Sequence, residues 1–235
     1  MIEAAINKIL ELSNIQKLEI AGRTYTSKGI VPVKEPMPAS LVVHTLSGIV
    51  DYLSKNIDVL NKEKLFIHVC NPVEVNLYAH FKDGFCERAE YVRAIFDPPN
   101  IQGGQYVSVE SFIIGLQAYF VDNLNRAKLL QVVGNVKGEQ VQQFSDDGMT
   151  QAVTAKAGIA TVESVKVPNP VSLKPFRTFP EIEQPESLFV FRMRQHPGSV
   201  PDCGLWEADN KLWKLEAIKN IAEWLESKVD VPIIA

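Results

Sequence analysis

Arg192 and Arg194 stand two residues apart in a run, 188–194, in which Phe189, Phe191 and Met193 alternate with Val190 and the two arginines. In a β-strand, residues two apart share a face at about 7 Å, so the pair would present two guanidinium forks to one side. Forks of this kind suit bidentate contacts to phosphate or carboxylate. Lys174 and Arg177 lie close by in sequence and extend the basic group. An anionic ligand, a nucleic-acid backbone or an acidic protein surface would suit these four residues. Solvated ion pairs with Glu181, Glu183 or Glu186 are the more ordinary account of them.

Other chemistry-bearing residues are spaced against catalysis. His44, His68, His80 and His196 show neither H-x-x-x-H nor H-E-x-x-H spacing, which argues against a metal centre. Cys70, Cys86 and Cys203 are odd in number and form no C-x-x-C pair, so neither a disulfide framework nor a thiolate metal site is expected. Cys70 and Cys86 fit small buried hydrophobes. No G-x-S-x-G elbow is present, 134–138 lacks the phosphate-loop spacing, and Gly103-Gly104 has no Lys-Ser/Thr after it. Asp146 and Asp147 fall at an expected hairpin tip, where aspartate serves a turn. No catalytic residue, metal or cofactor is assigned, although an active site built from distant carboxylates leaves little trace in one sequence.

The elements that must position the arginines follow from periodicity. Ile2, Ala5, Ile6, Ile9, Leu10 and Leu12 predict an opening amphipathic helix, and 18–20 with 23–26 predict a hairpin around Ala21-Gly22. Pro32, Pro36 and Pro38 make 31–40 an extended connector that sets off an N-terminal subdomain, 1–30. Thr45 stands at the N-cap of a helix with Leu46, Ile49, Val50 and Leu53 on one face, ending near Asn56. Runs 65–69, 74–80 and 90–96, punctuated by Asn71-Pro72 and Asp83-Gly84, predict an antiparallel meander. Ser108 caps a second helix through Phe112, Leu116, Tyr119 and Phe120, expected to cover that sheet.

Asp147-Gly148 between two β-like runs predicts a hairpin over 141–156. Its polar strands suit an arm projecting from the core, with Gln143, Asp147, Gly148 and Gln151 as the residues of exchange between subunits of a homo-oligomer. A plain solvated hairpin is the alternative. Five prolines between 167 and 185 fit extended chain or an edge strand. In 188–194, Phe189, Phe191 and Met193 fall on one face and Val190, Arg192 and Arg194 on the other, with 204–207 as a short partner strand. Asp209 caps a final helix whose inner stripe is Leu212, Leu215, Ile218, Ala222 and Leu225, and 231–234 adds an edge strand. Trp206, Trp213 and Trp224 are expected in the core.

The 235 residues are 46% hydrophobic and 22% charged, ordinary for a globular chain that folds on its own. A net charge of -4 leaves no overall basic field, so nucleic-acid binding needs a local patch. The N-terminus lacks the basic, apolar and small-residue order of an export signal, and the longest apolar stretch, 112–121, is far short of the ~20 residues of a membrane span. The expectation is one α+β domain over 1–235, an antiparallel β-sheet of meander and hairpins covered by a few amphipathic helices, in a reducing cytosol.

The segment 185–194, followed by Leu205-Trp206-Glu207-Ala208-Asp209 and a helix holding Ala217, Ile221 and Leu225, resembles the YfdQ-like family of phage and prophage proteins. The stretches 46–53 and 94–97, and Ser111-Phe112 opening a long helix, extend the resemblance over most of the chain. It implies a phage-encoded accessory protein in the host cytoplasm, from an early gene region whose neighbours serve DNA replication, recombination or host takeover, and it brings no catalytic signature. The leading expectation is a noncatalytic binding protein that supports viral DNA metabolism, with nucleic acid or a nucleotide as partner. The alternatives are a counter-defence protein that sequesters a host nucleotide signal or blocks a host enzyme, and a metal-dependent enzyme acting on nucleotides or nucleic acid.

Overall fold

The structure, a computed structural model, describes residues 17–20, 22–26, 31–32, 37–81, 87–101, 103–135, 141–146, 151–157, 160–161, 169–194 and 200–235. In chain order it runs β1 (Lys17–Ile20), β2 (Arg23–Thr26), β3 (Val31–Pro32), β4 (Leu41–Val43), α1 (Leu46–Lys55), β5 (Leu65–Asn71), β6 (Glu74–Ala79), β7 (Glu90–Ile95) and β8 (Tyr106–Ser108). There follow α2 (Val109–Tyr119), α3 (Leu124–Asn135), β9 (Val141–Asp146), β10 (Gln151–Ala157), β11 (Ala160–Thr161), β12 (Val171–Leu173), β13 (Ser187–Arg194), β14 (Asp202–Glu207), α4 (Trp213–Glu226) and β15 (Ile233–Ile234). The fold is α+β, with antiparallel and mixed sheets.

β5, β6 and β7 form the expected antiparallel meander at the centre of a five-stranded sheet ordered β15-β5-β6-β7-β4. Its outer strands are parallel additions, β4 on β7 and β15 on β5, so the sheet is mixed. Alternation places Leu65, Ile67, Val69, Val75, Leu77, Val92 and Ala94 on one face, where they bury against Leu46, Ile49 and Leu53 of α1 and Ile221 and Leu225 of α4. α1 starts where its cap predicts, Thr45 Oγ1 accepting from Gly48 N at 3.1 Å, and ends at Asn56 with φ 41°.

A second sheet, ordered β12-β13-β14-β8, is antiparallel throughout. Phe189, Phe191, Met193, Cys203 and Leu205 bury on the face covered by α2 and α3, with Phe112 and Phe191 rings 5.6 Å apart. α2 therefore covers this sheet and not the meander, because β8 delivers its capping Ser108 to the edge of β14. α3 carried no flag in the sequence. Asn123 Oδ1 accepts from Arg126 N at 2.7 Å at its start; the buried Leu129, Val132 and Val133 stand at helical spacing, but exposed Leu124 and partly buried Leu130 blur the apolar stripe.

The proline-rich stretch ties the two layers together. Phe179 and Ile182 enter the core of the first sheet, Thr178 Oγ1 donates to the Pro72 carbonyl at 2.5 Å, and Glu181 Oε1 accepts from the Ser47 amide at 3.1 Å. The final helix starts later than expected and keeps part of its expected inner face. Asn210 and Lys211 take positive φ (52° and 64°), Asp209 bonds Lys211 N, and no side chain caps α4, which begins at Trp213. Ala217, Ile221 and Leu225 face inward, and Leu212 and Leu215 are 62% and 69% exposed. Leu225 of the expected stripe is fully buried and Ile218 and Ala222 pack against the same core, so only Leu212, ahead of the helix, and Leu215, in its first turn, leave the stripe.

β1 and β2 pair as the expected hairpin, and Val31–Pro32, read as connector, adds β3 to it. β9 and β10 pair antiparallel, Gln143 opposite Thr154 and Gln151 opposite Asp146, while Asp147 and Gly148 lie outside the described residues. The predicted N-terminal helix, His196, Cys86 and the turn at Asp83-Gly84 lie outside them as well. Among the described residues no helix is long and apolar enough to cross a membrane.

Candidate nucleic-acid interface

Because α2 and α3 lie on one face of the second sheet, the alternate residues of β13, β14 and β8 point the other way. Leu188, Val190, Arg192 and Arg194 come from β13, Asp202, Gly204 and Trp206 from β14, and Tyr106 from β8. The register sets Val190 opposite Trp206, Arg192 opposite Gly204, Arg194 opposite Asp202, and Gly204 opposite Tyr106. Arg192 and Arg194 thus share a face, as the alternation predicts.

Trp206 is not a core residue. Its indole lies across Gly204, where an added Cβ would stand 2.5 Å from Cη2 and 2.8 Å from the Gln105 carbonyl, so glycine is what lets the ring lie flat on the sheet. That ring and Tyr106 pack edge to face, with centroids 4.9 Å apart at 68°. The Arg194 guanidinium covers Tyr106 at 4.1 Å and pairs with Asp202 Oδ2 at 3.3 Å through both Nε and Nη2. Among the described residues the Arg192 guanidinium bonds the Phe191 carbonyl at 3.2 Å and pairs with no carboxylate. Two half-buried aromatic rings and two arginines therefore share one sheet face.

Arg177 is not part of that face, and Lys174 is engaged by Glu183. Arg177 donates through Nη1 to Glu207 Oε1 at 2.7 Å and through Nη2 to Ser187 Oγ, and its guanidinium lies 3.9 Å over the Trp213 ring. Glu207 sits opposite Phe189, on the helix-covered side of the sheet. Ser187 is five residues from Arg192 along β13, some 16 Å at the usual rise of a strand. Burial pulls the Arg177 guanidinium down and the Glu207 carboxylate opposes it, the balance of an internal clamp. Lys174 pairs with Glu183, whose carboxylate raises the lysine while the lysine lowers the carboxyl. Of the ion-pair partners considered from sequence, Glu183 fits, whereas Glu181 caps α1.

The outer face of the first sheet carries a polar network that sequence spacing did not reveal. Asn76 Nδ2 donates to Tyr78 OH at 3.0 Å, Tyr78 OH donates to Glu90 Oε2 at 3.2 Å, and Arg93 Nε stands 3.2 Å from Glu74 Oε1. Cys70 Sγ lies 3.3 Å from His68 Nδ1, a Cys-His contact produced by strand alternation. Burial and then the Glu74 charge push the Cys70 thiol up, the reverse of the shift that makes a nucleophile. Burial also raises the Tyr78 phenol. Among the described residues no three His, Cys, Asp or Glu side chains are grouped to hold a metal. The network is polar packing along strand neighbours, and it leaves Asn76 Oδ1 and Arg93 Nε buried without a hydrogen-bond partner.

No family model matches the chain, no curated protein matches it, and no solved structure matches it.

Proposed function

We propose that this protein binds single-stranded nucleic acid on the face formed by β8, β13 and β14, and acts without a catalytic centre of its own. The observation that carries the reading is the placing of Trp206 and Tyr106 beside Arg192 and Arg194 on a single sheet face. Bases offer π-faces that stack on aromatic rings without regard to sequence, and arginines follow the backbone charge. A net charge of -4 confines attraction to this local patch, so affinity rests on stacking more than on overall field. The resemblance to phage accessory proteins fits a role in viral DNA metabolism.

Fluorescence anisotropy with a labelled oligothymidylate tests the reading. Stacking on one aromatic ring contributes ~1–3 kcal/mol per base, so Trp206→Ala should weaken binding by about 5- to 150-fold with the fold intact by circular dichroism. Wild-type protein that leaves the oligonucleotide tumbling freely at low salt contradicts the proposal.

A further inference from the structure

A cavity of about 260 Å³ opens between α2, the second sheet and the loop ahead of β8. Phe112, Phe120 and Phe189 wall it with Leu116 and Leu205, while Asn100 and Ser111 supply its polar groups. Exposed Asn100 and Ile114 stand on the lining, so the space communicates with the surface. Native interiors are packed with few voids larger than a water molecule, and an apolar cavity of ~150 Å³ already accepts benzene.

Gly115 gives a second, independent indication. Glycine is disfavoured inside a helix, yet this one sits in α2 and lines the cavity. A Cβ placed there would meet only Tyr119 Cδ2 at 3.9 Å, an ordinary contact, so packing against the neighbours does not require glycine. What the missing side chain does is leave the space open. None of the described lining residues carries a charge, which sets the chemistry of an occupant: a charged group would lose its hydration without gaining a partner.

We infer that this cavity is a binding site for a neutral, mostly apolar, ring-sized molecule with one hydrogen-bonding end. The ring lies among Phe112, Phe120 and Phe189, and the polar end meets Ser111 or Asn100. The site is on the helix-covered side of the second sheet, away from the Trp206 face, and does not depend on nucleic-acid binding.

Indole serves as the probe, titrated into the full chain by isothermal calorimetry, with indole-3-acetate and tryptamine as charged molecules carrying the same ring. Indole should saturate one site, and both charged analogues should bind at least about tenfold more weakly because their charges find no partner. Gly115→Leu should abolish indole binding while holding or raising Tm, since the new side chain fills existing space. Gly115→Ala, a smaller fill, should weaken binding partially and guards against a leucine variant that does not fold. Absence of saturable indole binding, equal affinity for the charged analogues, or full binding by both glycine variants would overturn the inference.

Discussion

Replacing Asp202 with asparagine removes a carboxylate from the proposed binding face while keeping its size and its place on β14 opposite Arg194. Asp202 Oδ2 lies 3.3 Å from the Arg194 guanidinium, and the two side chains remain 30% and 47% exposed. A pair this well solvated contributes only about 0–1 kcal/mol to stability, so Asp202→Asn should shift the denaturation midpoint little. Binding should respond more. A phosphate approaching Arg194 must now compete with that carboxylate, and freeing the guanidinium adds up to one counterion-releasing contact, steepening the salt dependence of log K by up to ~0.7 for a single strand. Relief of about 0.5–1 kcal/mol of competition corresponds to roughly 2- to 5-fold tighter binding. The controls are asymmetric. Arg192→Gln, which removes an arginine paired with no described carboxylate, should lower the slope by ~0.7, whereas Arg194→Gln should lower it less because Asp202 already neutralises that charge. Anisotropy across a salt series reads all three variants. Equal slopes for wild type, Asp202→Asn and Arg192→Gln would refute the reasoning that phosphates lie against this face.

Phe179 is fully buried and 5.8 Å from Phe96, so Phe179→Ala should cost ~3–5 kcal/mol in urea denaturation. A cost below about 1 kcal/mol would mean that the proline-rich stretch does not anchor the first core. Burial and then the neighbouring Asp202 push the Cys203 thiol up to about 12, so a thiol-specific disulfide reagent at neutral pH should modify it only after denaturation. Burial first, and then the Asp58 carboxylate that accepts from its hydroxyl at 2.6 Å, raise the Tyr52 phenol above the usual tyrosine range. Its folded value lies above its unfolded one. The stabilising contribution is therefore complete below pH ~10 and is lost as pH rises through the raised value. Tyr52→Phe should flatten that alkaline loss of stability, and an unchanged pH profile would count against the Asp58 contact.

Local signals in the sequence carried the elements well where a period or a cap was strong. The alternation of 188–194 gave the two faces of β13 correctly, and Thr45 and Ser108 marked the starts of α1 and α2 because their hydroxyls satisfy specific amides. Which sheet a helix covers is a tertiary matter, and α2 went to the second sheet through the pairing of β8 with β14, a strand nearly a hundred residues further on. Trp206 could not be placed from its own character, since its position depends on a glycine two residues earlier and on Tyr106 from another strand. The carboxylate partner of Arg177 was not among the glutamates near it in sequence, because Glu207, like the Trp213 ring, lies some thirty residues away. α4 keeps Ile218, Ala222 and Leu225 of the expected stripe against the first core, while the left-handed pair Asn210 and Lys211 delays its start and leaves Leu212 outside it.

The most direct test of the proposed face uses the three indole N–H signals in a proton-nitrogen correlation spectrum. Trp206 lies on the sheet face with Tyr106, Trp213 is covered by the Arg177 guanidinium, and Trp224 packs against the first core. Adding oligothymidylate should shift the Trp206 indole signal and leave those of Trp213 and Trp224 in place. A stationary Trp206 signal at saturating oligonucleotide, or shifts confined to the other two, would contradict the account.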